Sequence, residues 1–254
     1  MEKLQRYLNQ MRCVGCGGTL QIVEGALSCI QCGENFAVLN GAPFLIDSAD
    51  RAGQKLSGHM EALFRFPAFY RFKIQLLLRL NRTNDVSLTE LLRGKSILDV
   101  GCGPFIYGYD ATLPASLVGI DLSPQFVHAM SRHDSKNLFM VANARKIPFV
   151  SKSFDVSFLR YVIHHIPGDT ATLLTEVARV TRDYLVIFDH VRSDVSWKEG
   201  IQTTYWKMFD SGHHYNTRHE WDELLRPYRV AAFQRTGRMF GNICQIILDL
   251  RGHG

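Results

Sequence analysis

The stretch Ser96-Ile97-Leu98-Asp99-Val100-Gly101-Cys102-Gly103-Pro104 decides how this chain is read. Ile97 to Val100 is a run of strand length, followed at once by Gly101-x-Gly103 and then by a helical pattern. Glycines at such a junction let the backbone turn tightly and come close to a ligand. Alone, a Gly-x-Gly says little. Twenty residues past Gly101, however, a second apolar strand, Leu117-Val118-Gly119-Ile120, ends in Asp121. A carboxylate there can accept both hydroxyls of a nucleoside ribose. These two elements by themselves would also suit a dinucleotide. A pyrophosphate site normally adds a third glycine, Gly-x-Gly-x-x-Gly, and position 106 is Ile, which favours an adenosyl cofactor without phosphate.

The pattern continues in alternation. Leu138 to Asn143 reads as a third strand, and Asp155 to Arg160 as a fourth that runs into Tyr161-Val162-Ile163-His164-His165-Ile166. A helix is expected from about Asp169 to Val180, capped by Asp169 or Thr170, with Leu173, Leu174, Val177 and Val180 on one face. Tyr184 to Phe188 reads as a buried fifth strand. Strands alternating with helices predict an α/β fold with a doubly wound, mostly parallel sheet.

The run Ser96–Pro104 resembles motif I of class I S-adenosylmethionine-dependent methyltransferases, with Phe105 where many relatives have a further glycine. Ile147-Pro148-Phe149 and Ser153-Phe154-Asp155 resemble the link into strand four of that family, and the overall pattern is closest to its ubiquinone-biosynthesis-like branch. The resemblance implies a seven-stranded Rossmann-like sheet with a final antiparallel strand near Cys244 to Leu250. It also implies S-adenosylmethionine as cofactor, held by Asp99, Gly101, Gly103, Asp121, Leu122, Asn143, Ala144 and Arg160. Asn143-Ala144 stands where the family usually places Asp-Ala against the adenine.

Four of the six cysteines form two identical pairs, Cys13-x2-Cys16 and Cys29-x2-Cys32. Two intervening residues let both thiolates of a tight turn reach one tetrahedral ion at about 2.3 Å. Between the pairs, Thr19 to Ser28 reads as a hairpin turning at Glu24-Gly25. Paired disulfides or a redox centre compete with zinc. A reducing compartment disfavours the first, and a redox Cys-x-x-Cys is usually single. Residues 12–47 resemble the small zinc-binding family whose free-standing members activate methyltransferases of tRNA, rRNA and release factors, which implies a structural zinc ribbon. Residues 1–47 are thus expected to form that module. Residues 48–58 read as a linker, and 59–254 as the methyltransferase region, with a helical lid over 59–93 and a core over 94–254.

The chain has 254 residues, 46% hydrophobic and 21% charged, the composition of an ordinary globular protein. No run approaches the roughly 18 to 20 apolar residues of a membrane span. The first residues show no secretory pattern, so a cytoplasmic location is expected. Net charge is +5, and residues 51–95 hold nine Lys or Arg against three Asp or Glu. That excess suits an RNA or lipid phosphate surface as well as a solvated helix face.

His164 and His165 follow strand four, at the edge where such sheets bind ligands, and are candidate bases. His213 and His214 lie in an aromatic and histidine-rich insert after strand five and are second candidates. In each case a structural histidine is the competing reading. No Asn/Asp-Pro-Pro-Tyr run follows strand four, where Arg160-Tyr161-Val162-Ile163 stands instead. In the resembled family that run positions planar amide-type nitrogens, so the expected acceptor is an oxygen, carbon or other nitrogen of a small molecule. Two alternatives remain at this level: methylation of tRNA or rRNA, and a non-catalytic scaffold. The zinc module and the basic stretch support the first. Intact Asp99, Gly101, Gly103 and Asp121 oppose the second.

Overall fold

The computed structural model describes residues 1–47, 88–104, 112–166, 168, 170–193, 195–209, 212, 214–236 and 243–252. The expected linker, the expected lid up to residue 87, Phe105, Asp169 and His213 lie outside the described residues.

Helix α1 (Glu2–Tyr7) leads into strands β1 (Leu20–Val23), β2 (Ala26–Cys29), β3 (Asn35–Phe36), β4 (Val38–Leu39) and β5 (Ala42–Leu45). Strands β1, β2 and β3 form a small antiparallel sheet. Its first hairpin turns through Glu24 at φ 48° and Gly25 at φ 82°. Two successive left-handed residues match the twist of the flanking strands, which is why Glu-Gly suits a two-residue turn.

Helix α2 (Thr89–Leu92) precedes β6 (Ser96–Val100) and β7 (Ser116–Asp121). Then come α3 (Pro124–His133), β8 (Leu138–Ala142), β9 (Phe154–Arg160), α4 (Thr170–Val180) and β10 (Thr181–His190). The chain continues through α5 (Ser196–Phe209), α6 (Arg218–Leu225), β11 (Arg229–Thr236) and β12 (Ile243–Asp249). Helix starts follow local chemistry. Ser123 accepts from the Phe126 amide ahead of Pro124, and Thr217 and Glu220 form a reciprocal capping box.

Among the described residues, one nine-stranded sheet runs β11-β12-β10-β9-β6-β7-β8-β5-β4. The seven strands from β11 to β8 have the doubly wound, Rossmann-like order with a final antiparallel strand that the sequence resemblance implies. Strands β6 to β10 are mutually parallel, and β12 returns antiparallel against β10. All five residues of β8 and all seven of β12 are buried. β8 is an unbroken apolar run, as suits a strand covered on both faces, whereas β12 also buries Gln245 and Asp249.

The two further strands come from the amino-terminal region. β5 pairs parallel with β8, Phe44 opposite Val141 and Leu45 opposite Ala142. Gln10 to Arg12 lies along the link before β9: the Arg12 amide donates to the Pro148 carbonyl at 3.0 Å, and the Val150 amide to the Gln10 carbonyl at 2.9 Å. Met11, Leu27, Phe36 and Leu45 share one buried cluster with Leu98, Met140 and Phe149. Each such side chain contributes roughly 1.5–3 kcal/mol on burial. The cysteine-bearing region is therefore welded to the sheet beside β8, rather than tethered to it. No helix of the described residues is long and apolar enough to cross a membrane.

Candidate functional site

Parallel strands bring their carboxyl ends to one edge, and the candidate cofactor residues stand there. Gly101 turns at φ 69° directly after β6, and a Cβ on it would meet Val162 Cγ2 at 2.4 Å. Gly103 turns at φ 54°, and a Cβ there would meet nothing within 4 Å among the described residues. The first glycine is thus required by its neighbour, the second by its backbone. The amides of Gly101 and Cys102 both donate to the Ile120 carbonyl, at 2.8 and 3.0 Å.

Asp121, at the end of β7, holds the glycine loop: it accepts from the Gly103 amide at 3.0 Å and the Ser123 amide at 2.8 Å. Burial raises its carboxyl pKa, against the pull of those amides and of the His165 ring. Asp99 is 6% exposed. Burial pushes its pKa up to about 6, opposed by the Arg160 guanidinium and reinforced by Asp121. A buried and a half-buried carboxylate at adjacent strand ends form an electronegative floor suited to a cationic ligand. Asn143 follows β8 and closes its own turn, its Oδ1 accepting from the Arg145 amide at 2.9 Å. Ala144 packs against the core, and Leu122 is 42% exposed.

The loop after β9 carries the histidines. Tyr161 adopts φ 56°, in the left-handed region that a bulky residue seldom occupies. A 3-10 turn, Ile163–His165, follows. His164 is 2% exposed, and its Nδ1 lies 2.5 Å from Asp189 Oδ1. Asp189 also accepts from the Ile163 amide at 3.0 Å and the His190 amide at 2.7 Å. Burial opposes ionisation of this carboxyl, yet the His164 ring and these donors prevail, and its pKa is lowered. An ionised Asp189 fixes the proton of neutral His164 on Nδ1 and leaves the lone pair on Nε2.

Sequence reasoning overlooked Asp189. Its signal was the one that marked Asp121, an acidic residue closing an apolar strand. His165 packs beside His164, the rings tilted by 47° with centroids 4.1 Å apart. His214 points away, its Nε2 3.5 Å from Glu220 Oε1. Rings from the insert close over the pair instead: Tyr215 stacks on His164, and Trp206 stacks on Tyr215. His190 meets Trp206 at 5.1 Å.

The four paired cysteines converge. Their sulfurs all lie within 4.8 Å of one another, with Cys13 to Cys32 at 3.7 Å and Cys16 to Cys29 at 3.5 Å. Tetrahedral zinc–thiolate bonds of about 2.3 Å require sulfurs about 3.8 Å apart, so the cluster fits that ion. Burial holds the Cys13 thiol up at about 12, while the Cys32 amide brings Cys29 down to about 7. A cleft of about 640 Å³ separates the first cysteine turn from Lys146–Ser151 and is lined by Arg12 and Arg179. It lies beside the amino-terminal region, away from the histidines.

Residues 98–186 match the family model of a methyltransferase domain. An O-methyltransferase of Aspergillus nomiae is 35% identical over 115 residues, 41% of this chain and 49% of that protein. A ubiquinone biosynthesis O-methyltransferase of Hahella chejuensis is 28% identical over 175 residues, 65% of this chain and 70% of that protein. The chain thus spans about half the length of the first relative and more of the second. Among solved structures, the magnesium protoporphyrin IX methyltransferase of Synechocystis PCC 6803, with bound SAH, superposes with a TM-score of 0.52. That match has 13% identity, over 77% of this chain and 89% of that one, and shows the fold alone.

Proposed function

We propose, from the premise that the chain carries an S-adenosylmethionine-dependent methyltransferase domain, that it methylates an oxygen of a small-molecule acceptor beside His164. One juxtaposition carries this reading. The glycine cradle with Asp99 and Asp121 and the His164–Asp189 pair occupy the same sheet edge, with His165 next to both. The two O-methyltransferase relatives support the acceptor class.

S-adenosylmethionine, when bound, supplies a methyl carbon made electrophilic by its sulfonium. The chain's own groups do the rest. Asp121 accepts from the ribose hydroxyls while keeping the glycine loop in place. Asp99 faces the cationic amino-acid end, and Asn143 and Ala144 line the adenine. Arg160, already paired in charge with Asp99, holds the carboxylate. His164 Nε2 takes the proton of the acceptor hydroxyl, and Asp189 keeps the ring oriented and stabilises the imidazolium. The buried ring of Trp206 and the half-buried ring of Tyr215 shield the pair from water.

Cys13, Cys16, Cys29 and Cys32 hold a structural zinc that braces residues 1–47 against β8. Four thiolates leave no open coordination position, so the ion takes no part in the chemistry.

Calorimetric titration of zinc-replete protein with S-adenosylmethionine tests the reading. Micromolar binding is expected, weakened at least 30-fold in a folded Asp121→Ala variant. A folded wild-type protein that fails to bind would refute it.

A further inference from the structure

The chain leaves β9 by an abrupt turn. Arg160 still pairs with Phe188 on β10, and the Tyr161 amide donates to the Phe188 carbonyl at 2.7 Å. Pinned there, the backbone changes direction at Tyr161 itself, which takes φ 56°. That left-handed conformation is unfavourable for a residue with a bulky side chain. It persists only where the surroundings over-determine it.

Two sets of contacts hold the turn, one toward each half of the site. Val162 is seated against the glycine loop. A Cβ on Gly101 would meet its Cγ2 at 2.4 Å and its Cγ1 at 3.0 Å, so the valine fills the space that the missing Cβ leaves. The next residue, Ile163, donates its amide to Asp189 Oδ2 at 3.0 Å, and the His165 amide closes back on the Val162 carbonyl at 3.0 Å. Relaxation of Tyr161 into the extended region would break both sets together, because one rotation at residue 161 carries Val162 and Ile163 with it. The loop therefore has two discrete arrangements, and a two-state element of this kind is what energetic coupling between sites requires.

We propose that Tyr161 and Val162 are positioning residues that couple the glycine loop to the histidine loop, so that S-adenosylmethionine, by fixing the Gly101 turn, also fixes Ile163 to His165 against Asp189. The coupling rests on the reading that the glycine loop receives this cofactor. In the assembled arrangement Val162 supports Gly101. In the relaxed one that support is gone, and the cofactor binds poorly. Cofactor and assembled loop then favour each other reciprocally, and opening of the loop is suppressed in proportion to cofactor saturation.

Hydrogen exchange of the Ile163 and His165 amides, read by mass spectrometry on fragmented peptides of the zinc-replete full chain, reports the loop directly. With S-adenosylmethionine at about 100 times its Kd, exchange of both amides is expected to slow at least tenfold in the wild type. Val162→Ala at the same saturation should slow less than threefold, because the seat against Gly101 is gone. Tyr161→Gly and Tyr161→Ala separate the backbone from the ring. Both lack the phenol, and only glycine takes the left-handed turn without penalty. Without cofactor, the two amides should therefore exchange at least threefold more slowly in Tyr161→Gly than in Tyr161→Ala. If Tyr161→Ala does not fold, Tyr161→Ser serves, and the Val162→Ala comparison stands by itself. Three results would overturn the coupling: unchanged exchange in the cofactor-bound wild type, full slowing retained by Val162→Ala, or equal exchange in the two Tyr161 variants. Calorimetry on the same samples separates the two readings. Cofactor binding with an unresponsive loop removes the coupling alone, and no binding by the folded wild type removes the methyltransferase reading with it.

Discussion

His164 donates through Nδ1 to Asp189 across 2.5 Å, and the carboxylate that receives it is also held by the amides of Ile163 and His190. Three donors on one buried anion leave it no freedom to turn. The imidazole is therefore fixed in ring orientation and tautomer by the ends of two neighbouring strands, before any acceptor arrives.

Asp189→Asn should remove that fixation. An amide cannot accept equally from all three donors, and it places its own N–H₂ against one of them. Loss of kcat of about 10²–10⁴-fold is expected, with S-adenosylmethionine affinity unchanged within about threefold. Stability should fall by about 2–4 kcal/mol, because a buried network is broken on one side. Kinetics with any accepted acceptor, calorimetry and urea denaturation check the three parts. An unchanged kcat in a folded variant would show that His164 is structural.

Asp99 carries the opposite balance. Its folded carboxyl keeps its proton up to about pH 6, whereas the ordinary value is 3.8. Raising the pH from 4 to 6 therefore costs stability, because the folded state holds the proton more tightly than the unfolded chain does. Above pH 6 the whole penalty, on the order of 2–3 kcal/mol, is present. Asp99→Asn should then be more stable than wild type at pH 8 and lose that advantage as pH falls through 6 to 4. The same substitution should weaken cofactor binding at least tenfold, and wild-type affinity should fall below pH 6. Thermal melts and titrations at pH 5 and 8 read both effects.

Much of this edge was legible in the sequence, because the signals are local. Gly101, Gly103 and Asp121 sit where strand meets turn, and the Cys-x2-Cys spacing survives folding unchanged. The contribution of Ala42 to Leu45 was not legible. Four residues with a proline carry no mark of their partner, and pairing with β8 is fixed by burial of Leu45 nearly a hundred residues away in sequence. His214 was a candidate from its place in the aromatic insert after strand five; its side chain turns to Glu220 while its backbone amide reaches the His164 carbonyl at 3.4 Å. Tyr215, one residue on, supplies the ring.

The glycine pair offers a separable test of sterics and function. Gly101→Ala meets Val162 at 2.4 Å at positive φ, so both packing and backbone are strained. It should cost at least about 3 kcal/mol. Gly103→Ala should carry the backbone penalty, about 1–2 kcal/mol, because nothing among the described residues stands near its Cβ. That open space is where a cofactor would approach, so Gly103→Ala should lose affinity out of proportion to its small loss of stability. Equal effects of the two on affinity, after correction for the folded fraction, would argue against the cradle.

Zinc should matter to the cofactor through β5. The sulfurs of Cys13, Cys16, Cys29 and Cys32 fix the turns that bracket β1 and β2, Leu27 on β2 pairs with Phe36 on β3, and β4 then pairs with β5. β5 in turn flanks β8, whose next residue is Asn143. One equivalent of zinc per chain is expected by elemental analysis. Stripping it with a chelator should lower the melting temperature by several degrees, and S-adenosylmethionine affinity should drop with it as the end of β8 loosens. Cys16→Ser, which removes one exposed ligand without opening the core, should reproduce the effect, and zinc should restore only the wild type. If the stripped protein binds the cofactor as tightly as the loaded one, the ribbon is a separate device and the seam with β8 carries no coupling.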